Sequence, residues 1–133
     1  MGRPDVRPLI LIVEDDDLVR EFITDALIEQ GFNAIAVTMA HYAMEAVQQH
    51  RPDLILLDLG MPRGTMQGQD FLAMLRESRA GRSVPVVILS AYGEFLNPDV
   101  AGRLGVAAVL NKPLIELSVL VRTVRENLPQ AEC

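Results

Sequence analysis

The sequence predicts an α/β domain in which a five-stranded parallel sheet is doubly wound, with helices on both faces. Three observations carry that expectation. Short apolar runs alternate with longer segments of helical spacing, five times over. The strongest runs are apolar at every position, as strands buried on both faces are. The 133 residues, half of them hydrophobic, fit one domain, expected to span residues 1–133 with a core from about 8 to 128. Parallel strands need crossover connections, and these are expected to be right-handed.

The first strand is Leu9-Ile10-Leu11-Ile12-Val13, which ends abruptly in acids. Asp16 or Asp17 can cap the next helix, because a carboxylate accepts bonds from its free N–H groups. Val19, Phe22, Ile23, Ala26 and Leu27 give that helix its apolar face, and Gly31 stops it. Ala34 to Val37 is a weaker second strand, and His41 to His50 a short helix with Ala43, Ala46 and Val47 inward. Leu54-Ile55-Leu56-Leu57 is the third strand, ending at Asp58. A loop with Gly60, Pro62, Gly64 and Gly68 leads to a helix packed by Phe71, Leu72 and Leu75. Val84 to Leu89 is the fourth strand, ending at Ser90. Leu96 to Leu104 is a short helix with Pro98 in its first turn, and Val106 to Leu110 a strand followed by Asn111-Lys112-Pro113. Leu114, Leu117, Leu120, Val121 and Val124 line a last helix, stopped by Pro129.

Composition narrows the function. Asp and Glu outnumber Lys and Arg by 18 to 12, a formal charge of −6, which disfavours direct contact with nucleic acid. Arg76, Arg79 and Arg82, the nearest thing to a basic cluster, read as a solvated helix end. Tryptophan is absent, so no base-stacking platform is visible. No stretch approaches the roughly 20 apolar residues that span a bilayer. Met1 to Pro8 lacks the apolar centre of a secretory signal, and the one cysteine, Cys133, cannot form an internal disulfide. A cytoplasmic location is expected.

In doubly wound sheets the ligand sits beyond the carboxyl ends of the strands, where the strand order reverses. The residues there are Glu14, Asp15 and Asp16 after the first strand, Asp58 after the third, Ser90 after the fourth and Lys112 after the fifth. Alone, each has an ordinary explanation: acids cap helices, an aspartate makes a turn, a lysine is solvated. Together they form a chemical set. Clustered carboxylates repel one another, and a hard divalent cation such as Mg²⁺ resolves the conflict through oxygen ligands. A lysine ammonium and a serine hydroxyl both suit phosphoryl oxygens. A carboxylate nucleophile, a metal, a lysine and a hydroxyl make a phosphoryl-transfer site.

At these residues the sequence resembles the receiver domain of bacterial two-component response regulators. The similarity runs from about Leu9 to Leu128 and rests on the order and spacing of "LILIVEDDDLVR", "PDLILLDLGMP", "MQGQDFL", "PVVILSAYGE" and "VLNKPL". The resemblance implies a flavodoxin-like sheet of strand order 2-1-3-4-5. It implies that Asp58 is the phosphoacceptor, that Asp15 ligates Mg²⁺ directly, and that Glu14 acts largely through metal-bound water. The Gly60 backbone carbonyl would complete the metal site, with Ser90 the family's hydroxyl and Lys112 its lysine. Lys112-Pro113 is a candidate cis peptide. The donor would be a phosphohistidine on a histidine kinase or a histidine phosphotransfer protein. The domain itself would catalyse the transfer and the later hydrolysis, switching the surface around the fourth helix, fifth strand and fifth helix.

The sequence also departs from the family pattern. Val109 stands where an aromatic switch residue is usual, three positions before Lys112. Output is therefore expected to run through the Ser90-Ala91-Tyr92 loop. The segment after Met61-Pro62 is longer than usual by about two residues, and Met-Gln-Gly at 66–68 replaces the common Met-Asp-Gly. Gly60 and Tyr92 occupy positions that tune hydrolysis in the family, and a slow loss of the phosphoryl group is expected. The competing readings are a pseudo-receiver that binds partners without phosphorylation, a haloacid-dehalogenase-like phosphatase and a nucleotide or flavin module. The phosphatase needs a second Asp where Gly60 stands, and acids after the first strand oppose a phosphate-binding loop.

Overall fold

The computed structural model describes residues 7–91, 96–112 and 116–129. Its elements alternate throughout: β1 (Leu9–Val13), α1 (Asp17–Glu29), β2 (Asn33–Val37), α2 (Ala40–His50), β3 (Leu54–Asp58), α3 (Gly68–Glu77), β4 (Val86–Ser90), α4 (Pro98–Arg103), β5 (Val106–Asn111) and α5 (Leu117–Asn127). The strands form one parallel sheet of order β2-β1-β3-β4-β5. The doubly wound expectation, with this strand order, holds.

Side chains alternate across a strand, so each central strand feeds two cores. On one face Leu11, Val13, Ile55, Leu57, Val86 and Ile88 pack with α2 and α3, the latter through Phe71, Leu72 and Leu75. On the other, Ile10, Ile12, Leu54, Leu56, Val87 and Leu89 pack with Ile23 and Leu27 of α1 and Leu120, Val121 and Val124 of α5. Every residue of β1, β3 and β4 is buried, which is why those strands read as apolar runs. Truncating one of these leucines to alanine would cost about 2–5 kcal/mol.

The ends of the elements obey local chemistry. Asp16 caps α1, accepting the Val19 N–H at 3.0 Å. Gly31 leaves the helix with φ at +94°, a conformation that suits glycine. β4 starts at Val86, later than the apolar run suggests, because Pro85 has no N–H for the ladder. α4 starts at Pro98, with Asn97 accepting from the Asp99 N–H at 2.8 Å. Pro113 and Leu114, and Tyr92 of the expected output loop, lie outside the described residues.

Candidate functional site

The strand order reverses between β1 and β3, so the residues leaving these two strands share one edge of the sheet. The register aligns them: Val13 pairs with Leu57, Asp58 with Leu89, and Ser90 with Asn111. Glu14 and Asp58 are therefore neighbours although distant in sequence. The edge is held by main-chain bonds from Glu14 N to Val37 O (3.1 Å), Leu59 N to Leu89 O (2.9 Å) and Lys112 N to Ser90 O (2.7 Å).

Four of the residues singled out from the sequence meet here. Carboxylate oxygens of Glu14, Asp15 and Asp58 all lie within 4.8 Å of one another. The Lys112 ammonium bridges two of them, donating to Glu14 Oε1 at 2.9 Å and Asp58 Oδ2 at 3.2 Å. Glu14 is wholly buried and Asp58 is 2 % exposed, whereas Asp15 faces solvent. Gly60 donates its N–H to Asp58 Oδ1 at 3.2 Å. Glu14 Oε2 accepts the Asp16 N–H at 3.1 Å.

Ser90 stands at the end of the adjacent strand, nearly buried, with its hydroxyl 3.4 Å from the Ala91 carbonyl. That distance exceeds the usual range for a hydroxyl donor, so the group is weakly held. Asp16 does not join the cluster; its side chain caps α1. Gly68 brings α3 against the site so closely that a Cβ would lie 2.6 Å from the Asp58 carbonyl oxygen. Only glycine fits there.

The electrostatics are unbalanced. Three carboxyl groups face one ammonium, so if all three ionise two negative charges have no partner in the cluster. Burial, then the hydrogen bond and charge of Glu14, push the Asp58 carboxyl up to about 8, and Lys112 offsets this only in part. Burial disfavours the charged Lys112, but Glu14 and Asp58 outweigh it and raise the ammonium pKa. A hard divalent cation fits this donor set: oxygen ligands only, one rim carboxylate open to solvent, and a charge that cancels the deficit.

Sequence reasoning missed two neighbours. Arg20, on α1, donates to the Glu14 carbonyl at 3.1 Å and steadies the turn that presents the acids. Gln67, next to Gly68, folds its amide back over the β3–α3 loop. A glutamine at a helix N-cap, where it is a poor cap, is the signal that could have drawn notice.

The comparisons with known proteins agree with this geometry. A family model described as the response regulator receiver domain matches residues 10–125. The KDP operon transcriptional regulatory protein KdpE of Escherichia coli (strain K12) is 37 % identical over 105 residues, 78 % of this chain and 44 % of that protein. The DNA-binding response regulator MtrA of Mycolicibacterium smegmatis is 32 % identical over 127 residues, 96 % of this chain and 53 % of that protein. The chain thus spans about half the length of the curated relatives it matches. Among solved structures, a sensor protein from Polaromonas sp. JS666 superposes with a TM-score of 0.80 at 28 % identity, covering 91 % of this chain and 95 % of that one. Vibrio cholerae chemotaxis protein CheY4 shares the fold with a TM-score of 0.81 at 22 % identity, covering 92 % of this chain and 100 % of that one. A family match over residues 10–125, most of its length, places the chain in the response regulator receiver domain family.

Proposed function

We propose that this chain is a phosphoryl-operated switch of a two-component system, in which Asp58 accepts a phosphoryl group from a phosphohistidine. The observation that carries the reading is the charge imbalance around Asp58: a nearly buried carboxyl beside Glu14 and Asp15, held by a single lysine. The donor would be a histidine kinase or a histidine phosphotransfer protein.

Glu14, Asp15, Asp58 and the Gly60 carbonyl would hold Mg²⁺. When bound, the ion supplies neutralisation of the phosphoryl oxygens and of the carboxylates. The chain's own residues do the rest. Asp58 must be ionised to act, and its raised pKa means that it keeps a proton at neutral pH until positive charge enters the cluster. An oxygen of Asp58 then forms the new P–O bond as the P–N bond to the donor imidazole breaks, and the departing nitrogen keeps the bonding pair. Lys112 turns from the Asp58 carboxylate to the phosphoryl oxygens as a point charge. The loosely held Ser90 hydroxyl moves to donate to another of these oxygens.

The motion of Ser90 would draw the adjoining loop with it and bias the surface of α4, β5 and α5. Val109 is 50 % exposed on β5 and has no ring to swing inward, which supports the loop route. Gly60 offers no side chain to orient water, so the phosphoryl group should persist for minutes or longer; loss within seconds would contradict this. Several relatives are named transcriptional or DNA-binding regulators, which supports an output in gene regulation. The acidic charge of this chain supports a part in signal input rather than direct contact with nucleic acid. No helix among the described residues is long and apolar enough to cross a membrane, which accords with a cytoplasmic place for this step.

The test is incubation with Mg²⁺ and acetyl phosphate, then intact mass. Wild type should gain the mass of one phosphoryl group, and Asp58→Asn none. A wild type that never gains it overturns the reading.

A further inference from the structure

Gln67 makes most of the side-chain hydrogen bonds described in the loop between β3 and α3. Gln67 Oε1 accepts the Met61 N–H at 3.1 Å, and its Nε2 lies 3.3, 3.4 and 3.2 Å from the carbonyls of Met61, Pro62 and Thr65. Thr65 closes the inner turn, its hydroxyl donating to the Pro62 carbonyl at 2.6 Å. Leu59 and Met61 bury their side chains in the core beneath. Gln67 itself makes no capping bond at the start of α3, so its amide is spent wholly on the loop.

One of these bonds bears on the site. The N–H of Met61 and the C=O of Gly60 belong to the same peptide unit, which is planar and trans, so the two groups point in opposite directions. Gripping the Met61 N–H therefore fixes the direction of the Gly60 carbonyl. Such a grip matters more at a glycine, whose backbone rotates more freely than that of any other residue. The same residue's N–H also holds Asp58 Oδ1, so the orientation of this short segment reaches both the nucleophile and the adjacent carbonyl.

We infer that Gln67 is a positioning residue that fixes the Gly60–Met61 peptide plane, and through it the affinity of the acidic cluster for a divalent cation. The inference rests on the proposed metal role of the Gly60 carbonyl. It assigns the Met-Gln-Gly variation and the longer loop a shared purpose: the glutamine reaches over the extra residues and ties them to the strand end.

The test is calorimetric titration of the full chain with Mg²⁺, for wild type, Gln67→Met and Thr65→Ala, with amide exchange at Met61 read by NMR. Methionine keeps the length of glutamine and removes its amide. Thr65→Ala loosens the same loop without touching the Gly60–Met61 peptide. The expected result is a cation affinity about tenfold weaker in Gln67→Met, as for other residues that orient a metal ligand. Met61 exchange should quicken in that variant alone, and Thr65→Ala should stay within twofold of wild type. Gln67→Met within twofold of wild type overturns the inference and leaves the proposed function standing. An equal loss in both variants also overturns it, because general loop rigidity would then be the cause. No Mg²⁺ binding by wild type overturns the reading of the site itself, and this inference with it. Melting temperatures of the three proteins separate lost folding from lost affinity.

Discussion

The two ends of the sheet each enclose a cation, and they use it in opposite ways. At the carboxyl ends Lys112 stands among Glu14, Asp58 and Asp15, where one positive charge cannot balance three carboxyl groups if all of them ionise. At the amino ends of β4 and β5 Arg76 reaches from α3 into a ring of carbonyls: Leu104 at 2.7 Å, Gly105 at 3.1 Å, Gly81 at 2.9 Å and Val84 at 2.6 Å. Its planar fork matches those fixed acceptors, and burial lowers its pKa. The arginine end is satisfied and fixed. The lysine end is short of positive charge and ready to take up more. Structural bracing and the proposed chemistry thus lie at opposite ends of one sheet.

Substitutions can break this contrast. The largest expected effect is Lys112→Ala, which should slow phosphoryl uptake by about 10²–10³-fold, as loss of a charge-stabilising donor does elsewhere. Stopped-flow or time-resolved mass measurement would show it; a rate within threefold of wild type would mean that the ammonium has no part in the transfer. Arg76→Ala should do the reverse. It orphans several carbonyls and should cost about 3 kcal/mol in urea unfolding, with phosphoryl uptake unchanged. Arg76→Lys should recover little, since a point charge cannot serve acceptors on two sides.

A pH effect follows. Asp58 has a folded pKa raised to about 8 from an ordinary value of 3.8. Folding therefore binds a proton between those limits, and the cation-free protein should lose stability as pH rises from about 4 to 8. The loss from this group over that window should be about 5 kcal/mol, and Asp58→Asn should lack it. Urea midpoints at pH 5 and pH 8 with a chelator present would show whether the two proteins differ in slope. The smallest effect is expected at Arg122 and Glu126, a pair at 3.5 Å with both side chains largely exposed. A double-mutant cycle should give a coupling of about 0.3 kcal/mol, as exposed i,i+4 pairs do. That value sets the background against which both ends of the sheet are judged.

Much of this was legible in the residues, for a physical reason. β1, β3 and β4 are buried on both faces, so their burial is written as unbroken apolar runs, and the candidate site residues stand at the carboxyl end of each run. β2 was weak in the sequence because it is a half-buried edge strand rich in alanine. Arg76 was misread as part of a solvated helix end. Its acceptors Leu104 and Gly105 lie 28 and 29 residues away, and no local pattern announces a long side chain that turns inward. Gln67 was visible as a substitution in a familiar stretch, but not as a brace, because its purpose depends on the shape of the loop beneath it. The acids of the site were readable as a group only through the rule that joins strand ends. The residues left the cap open between Asp16 and Asp17; the structure gives it to Asp16, while Asp15, one residue earlier, lies with Glu14 and Asp58.

The most direct measurement is the ionisation of the Asp58 carboxyl itself, tracked by carbon-detected NMR across pH with and without Mg²⁺. The expected result is a midpoint near 8 in the cation-free protein that drops into the ordinary carboxylate range when the ion is present. A midpoint near the ordinary aspartate value in both conditions would contradict the idea of a buried carboxyl waiting for positive charge.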